Sequence, residues 1–183
     1  MSVSTAELGA LWGQAGLGQS PGLAQTIDRR YINNEYTPAS GVMQMSGIWL
    51  PAEMIIRSVV MITGSGLPLL NTHAWVALYN NELELLAQSV DDTATGSFGM
   101  NTKVTKTLIP AQKLFYTGPY YIGWVQTATT LNSLLAAVAF SNSIAGNDPP
   151  VISGTSTTGL TSTAPANAAP LVGQINTFYA YVS

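Results

Sequence analysis

Cysteine is absent from the 183 residues, which excludes disulfides, thiolate nucleophiles and Cys-ligated metal sites and leaves the redox compartment open. Charge is scarce as well. Six Lys and Arg stand against nine Asp and Glu, 8% of the chain, where an ordinary soluble domain carries roughly 25%. No basic run exceeds the pair Arg29 and Arg30, so phosphate neutralisation has nothing to work with and nucleic acid is not an expected partner. No apolar stretch reaches the length of about 18 residues that a membrane span needs, and no membrane is expected as a partner. Residues 1–20, with Glu7 and several glycines, lack the basic start and apolar run of a signal peptide. Glycine-rich nucleotide loops, G-x-S-x-G and H-E-x-x-H do not occur, so the expectation is a protein that is not an enzyme and uses no cofactor.

What is present is an average hydrophobic content, 46%, with Ser, Thr, Asn, Gly and Ala where charges would stand. Such a surface suits packing against neighbouring subunits, because few ionic groups must be desolvated on contact. The length is enough for one domain to bury about two-thirds of its unfolded surface in a single core. Residues 1–40 read differently from the rest. Ser4 and Glu7 have capping-box spacing, and Leu8, Leu11 and Trp12 follow at helical spacing until Gly13, Gly16 and Gly18 end the pattern. Two helical turns are unstable alone in water, so residues 1–40 are expected to be a docking arm and connector, with Leu8, Leu11 and Trp12 as its partner-docking side chains.

Residues 41–183 read as strands. Residues 42–50 and 55–63 are rich in Val, Ile and Met and end at Pro51 and at Gly64-Ser65-Gly66. In 74–79, Trp75, Ala77 and Tyr79 fall on one face and Ala74, Val76 and Leu78 on the other. Asn80-Asn81 then predicts a tight turn into a strand over 82–89, with Leu83, Leu85 and Ala87 sharing one face and Glu82 and Glu84 the other. Residues 102–109 predict an edge strand protected by lysines and closed by Pro110. In 119–127, Tyr120, Ile122 and Trp124 oppose Tyr121, Gly123 and Val125. Residues 134–140 suit either a helical turn or a buried strand, 153–170 predict an exposed low-complexity loop, and 177–182 a final strand. The sum is an all-β fold, a jelly-roll-like β-sandwich of about seven or eight short strands behind a short helical or extended arm.

Candidate chemistry is thin. His73, the sole histidine, has no partner visible in the sequence, and its plain reading is a loop residue at a strand start. Glu82 and Glu84 have the separation of a carboxylate pair on one strand face, but glycosidase pairs come from opposite walls of a cleft, and a solvated hairpin face is the better reading. Asp91 and Asp92 lack the spacing of a dedicated calcium loop. No metal site is expected. Trp49, Trp75, Trp124, Tyr79, Tyr116, Tyr120 and Tyr121 are candidates for sugar-stacking platforms or interface anchors, although one or two at most should escape the core.

Several phrases together carry a resemblance. Gly47-Ile48-Trp49-Leu50-Pro51-Ala52, the strand at 55–63, Asn71-Thr72-His73-Ala74-Trp75-Val76-Ala77-Leu78-Tyr79 and Leu85-Leu86-Ala87-Gln88-Ser89 form the first part. Gly118-Pro119-Tyr120-Tyr121-Ile122-Gly123 and Phe178-Tyr179-Ala180-Tyr181-Val182-Ser183 complete it. Over residues 40–183 the chain resembles the β-rich domains of head-decoration, minor-tail and tail-fibre-like proteins in tailed phages that infect actinobacteria. The resemblance implies a structural protein on the virion surface, a capsid-decoration or small-spike protein held by its arm to major capsid or tail proteins. A receptor-binding, glycan-adhesion module of the tail is the alternative. It also implies a homotrimer and a host cell-surface glycan as a further partner. It transfers no functional residue.

Overall fold

The structure, a computed structural model, describes residues 24–93, 99–138, 153–173 and 176–183. Leu8, Leu11 and Trp12 of the expected arm lie outside the described residues. The fold is all-β, with two antiparallel sheets, consistent with the expected sandwich. Among the described residues the strands are β1 (Asn34–Tyr36), β2 (Gln44–Leu50), β3 (Ile55–Ile62), β4 (His73–Tyr79), β5 (Leu85–Ser89) and β6 (Lys103–Lys113) in the first half. The second half holds β7 (Gly118–Thr127), β8 (Leu134–Val138), β9 (Ser153–Thr155), β10 (Val172–Gly173), β11 (Asn176–Phe178) and β12 (Ala180–Val182). The large sheet runs β10-β9-β2-β7-β4-β5-β6-β3-β12, and the small one β1-β8-β11.

Alternation explains how β4 and β7 are used. Ala74, Val76 and Leu78 join Tyr120, Ile122 and Trp124 in the main core, together with Ile48 and Leu50 from β2 and Val59, Met61, Val104 and Val182 from β3, β6 and β12. Because both halves of the large sheet feed one cluster, the sheet folds over on itself, and Leu134 and Phe178 of the small sheet enter the same core. The opposite faces of β2, β4 and β7 build a second cluster from Met43, Met45, Trp75, Ala77, Tyr79, Tyr121 and Val125. Gly123 leaves the room that this packing needs, since a Cβ there would lie 2.9 Å from Met43 Sδ and 3.3 Å from Tyr79 Cε2.

Bulges reset the alternation in two places. Between β4 and β5 the register slips at Leu78/Tyr79, so Ala87 packs in the main core while Leu83 and Leu85 pack against the second cluster. Leu83, Leu85 and Ala87 therefore do not share one face, because an extra residue inverts the side-chain order beyond it. In β3 the amides of Arg57 and Ser58 both donate to the Ser183 carbonyl, at 2.7 and 2.9 Å, and the slip lets Ile56 and Val59 both face the core.

Other expectations are corrected or refined. The strand at 102–109 is not an edge: β6 pairs with β5 on one side and β3 on the other, and it continues through Pro110 to Lys113. Proline is accommodated there because residues 108–111 lie in the register gap facing β3. Residues 153–155 form β9, and residues 156–170 are the expected loop, largely exposed but packed on the sheet through a few side chains. After β9 the chain runs as a strap over the second cluster, burying Ala164 and packing Leu160, Ala168 and Leu171 on it. The strap's polar composition hides this packing because the sheet supplies the large apolar partners, Trp75 and Tyr79, while the strap supplies carbonyls: Trp75 Nε1 donates to Thr161 at 2.6 Å and Tyr79 Oη to Pro165 at 3.1 Å. Residues 134–138 settle as a strand, and the C-terminal segment divides between the two sheets as β11 and β12. Within the stretch read as a connector, β1 pairs with β8, and Ala24 and Thr26 lie along the outer edge of β12.

Candidate functional site

The polar candidates are spent on holding loops. His73 opens β4, and its Nδ1 lies 2.6 Å from Asp91 Oδ2, while Asp91 Oδ1 accepts from the Ala74 amide at 2.9 Å. Lys106 Nζ pairs with Asp92 at 3.0 Å, and the Asp92 carbonyl accepts from Asn71 Nδ2. These contacts fasten residues 90–92 across β4 and β6 beside a shallow depression of about 350 Å³ lined by Asp91, Asp92, Lys106 and Ile109. Lys106 is thus an ion-pair partner on an interior strand, not an edge guard. Ser89, two residues before Asp91, accepts from the Val76 amide and donates to the Val90 carbonyl. Among the described residues no group of three or more His, Asp and Glu is placed to hold a metal ion.

Glu82 and Glu84 do not sit on a strand face. Glu82 falls in the turn before β5, where Leu83 takes φ 64°, and Glu84 forms an isolated β-bridge with Asn167 at the end of that turn. Asn80 organises that turn: its Oδ1 accepts from the Glu82 and Glu84 amides and its Nδ2 donates to Glu84 Oε2. Asn is suited to this because its short amide reaches backbone groups two to four residues on. Glu35 is committed too. Its carboxylate accepts from the Ser65 amide, the Ser133 hydroxyl and the Ser65 hydroxyl, which together hold it below the usual carboxylate range. That contact needs Gly64, where a Cβ would fall 2.4 Å from Glu35 Oε2.

Of the seven aromatic candidates, Trp75, Trp124, Tyr79, Tyr120 and Tyr121 are buried, and burial pushes the Tyr79 phenol pKa up. Trp49 and Tyr116 remain at the surface, 67% and 39% exposed, and Phe115, which the sequence reading passed over, is 80% exposed. All three lie at one end of the sandwich. Trp49 is in register with Pro119 on β7, and the 50–54 turn is laced to residues 114–117 by Glu53 N to Leu114 O at 3.0 Å and Ala52 N to Thr117 Oγ1 at 2.9 Å. Tyr116 stacks on Tyr120 at 4.9 Å and donates to Asn81 Oδ1 at 3.0 Å.

The opposite end is aliphatic. Leu67, Leu69 and Leu70 are exposed around the buried Pro68, and Met100 is exposed on the turn whose Asn101 amide bonds the Gly64 carbonyl. The leucine loop is held firmly. The Leu69 amide and carbonyl pair with Thr130 and Thr129, Thr72 N bonds Thr127 O, and Leu70 adopts φ 49°, a conformation that costs a branched side chain energy unless its surroundings enforce it. Nothing in the sequence marks these leucines as outward, because Leu67-Pro68-Leu69-Leu70 has no period that separates faces. No protein-family model matches the chain, and none of the curated proteins matches it.

Proposed function

We propose that this chain is a non-enzymatic structural protein of a tailed-phage particle, a decoration or small-spike protein that docks through its N-terminal arm and through the leucine end of its sandwich. The observation that carries the docking part is the leucine loop: three large aliphatic side chains faced to water on a backbone fixed at both flanks, with Leu70 held at positive φ. Exposed aliphatic groups on a pre-ordered loop lose little entropy when covered, which is what a binding surface needs. Supporting it, Asp91 and Asp92 pair with His73 and Lys106, Glu53 pairs with Lys113, and the chain carries few charged groups in all to desolvate. The virion setting, the capsid or tail partner and a trimeric state rest on the resemblance of residues 40–183 to phage accessory domains.

Adhesion is the second reading, and it is favoured by one observation of its own, the exposed Trp49, Phe115 and Tyr116 at the far end. The two readings use opposite ends of one body, so the leucine end can be tested alone. A chain carrying Leu67→Ser, Leu69→Ser and Leu70→Asn is expected to melt within about 2 °C of the wild type, since exposed substitutions cost about 0.5 kcal/mol or less. Its recovery with purified particles, measured by quantitative mass spectrometry, should fall at least about tenfold, the ratio that loss of one interface hot spot produces. Equal recovery of variant and wild type would remove the leucine end from the interface.

A further inference from the structure

We propose that Gln44, Ser46 and Trp124 form a buried binding site for a small hydrogen-bond acceptor, a water molecule or a halide ion, between the two sheets. β2 and β7 pair without interruption, with Gln44 opposite Trp124 and Ser46 opposite Ile122. Opposed residues of an antiparallel pair point to one face, and so do residues two apart on a strand. Gln44, Ser46 and Trp124 therefore share the face on which Ile48, Leu50, Tyr120 and Ile122 enter the main core. Opposed Cβ atoms on one face lie about 4.5–5.5 Å apart and diagonal neighbours about 7–8 Å, within reach of side chains as long as Gln and Trp. On the other side of β2, β9 sets Thr155 beside Gln44 and Ser153 beside Ser46. The small sheet covers the patch: the Tyr36 hydroxyl of β1 donates to Gln44 Oε1 at 3.2 Å, and Leu134 and Phe178 pack into the same core as Trp124.

Polar atoms this deep are seldom left unpaired. Gln44 is 3% exposed and Ser46 and Trp124 are 0% exposed, yet among the described residues Gln44 Nε2, Ser46 Oγ and Trp124 Nε1 are three of the four buried side-chain atoms that bond no protein group. The fourth, Asn71 Oδ1, belongs to a loop residue whose Nδ2 is tied to the Asp92 carbonyl. Gln126, the next residue of β7 on the same face, shows how the chain satisfies a buried amide when it does so by itself, through both side-chain atoms on Asn132. The three atoms define what they hold. The Trp124 and Gln44 nitrogens only donate, Gln44 Oε1 is already engaged, and Ser46 Oγ donates or accepts. A species that accepts from both nitrogens satisfies the set, whereas a cation satisfies neither. Gln44, Ser46, Ile122, Trp124, Ser153 and Thr155 are all uncharged, so nothing in the patch balances a multivalent anion. Water fits by accepting from both nitrogens and donating to Ser46 Oγ, about three bonds being usual for a buried water, and a halide fits by accepting from all three.

The test uses the full-length protein labelled with nitrogen-15, with the Trp124 indole resonance assigned by its loss in Trp124→Phe. Water-selective NOE and ROE spectra are recorded in sodium gluconate, and the same resonance is then followed through titrations with sodium chloride and sodium bromide. A bound water should give the Trp124 indole N–H a cross-peak with the sign of a long-lived water. A bound halide should instead move that resonance saturably with chloride and bromide. Gln44→Met and Ser46→Ala each take away one of the partners, and each should remove or weaken whichever signal is present. Ser46→Ala, a change of one oxygen atom, keeps the test open if Gln44→Met does not fold. A Trp124 indole that shows neither a water cross-peak nor a halide shift overturns the proposal, and so does a signal that Ser46→Ala and any folded Gln44→Met leave unchanged.

Discussion

Trp75→Ala is expected to destabilise the protein by about 3–5 kcal/mol, the range for deleting a buried Trp or Phe side chain. Trp75 is fully buried in the second cluster, and its indole N–H reaches Thr161 O at 2.6 Å. It therefore does two things at once: its ring fills the space between β4 and the strap, and its N–H holds the strap's backbone. Trp75→Phe separates them. Phenylalanine keeps most of the apolar area and removes the donor, so about 1–2 kcal/mol is expected. For a chain of this size the alanine variant should lose roughly 10 °C in melting temperature. Limited proteolysis locates the effect, because residues 156–170 carry few large apolar groups of their own and should be cut first once Trp75 no longer holds them. A loss under about 1 kcal/mol with the strap still protected would mean that the strap is held from elsewhere.

The second large effect is expected at Asn132. Gln126 and Asn132 are both fully buried and bond each other reciprocally: Gln126 Nε2 to Asn132 Oδ1 at 3.1 Å, and the Asn132 amide to Gln126 Oε1 at 3.0 Å. Asn132 Nδ2 also donates to the Gly66 carbonyl at 3.0 Å. The side chain thereby ties β7, the 128–133 turn and the base of the leucine loop together. Asn132→Ala strands the Gln126 amide and the Gly66 carbonyl in the interior at about 1–3 kcal/mol for each group that finds no water. The expected loss is about 2–4 kcal/mol, read by urea denaturation. The double variant Gln126→Leu, Asn132→Ala removes the stranded Gln126 amide but also the acceptor of the backbone N–H at 132, so it should recover little of that loss. Recovery close to the wild type would mean that the backbone N–H at 132 finds water and that the network's value lies in satisfying the two side-chain amides alone.

Local pattern was legible where strands keep a strict period of two. The faces of β4 and β7 follow from the alternation around Trp75 and Trp124, because each strand has paired neighbours on both sides and no insertion. It failed where one residue more or less decides the face. The bulge at Leu78/Tyr79 is invisible in a run such as Leu83 to Ser89, and so the carboxylates at Glu82 and Glu84 were placed on a strand that begins only at Leu85. Strand order is also beyond a local reading: lysines and a proline suggested an edge for β6, whose two partners come from distant segments. The packing of the strap was missed for the same reason, since its stability lies in Trp75 and Tyr79 on another element. Of the candidate site, Trp49 and Tyr116 were among the aromatics singled out, but nothing in composition separates them from the five that are buried. Phe115 and the leucines of the 67–70 loop needed three dimensions to be seen.

The docking account stands or falls on the arm and the particle it is meant to hold. Electron microscopy of purified phage particles, carrying either the full chain or a chain lacking residues 1–18, tests it most directly. Ala24, the first described residue, bonds at the outer edge of β12, so the truncated chain should fold and keep its melting temperature. The account predicts body-sized density at repeated surface positions on particles with the full chain and its loss with the truncated one. Particles that bear the truncated chain as fully as the intact chain, or that bear neither, contradict it.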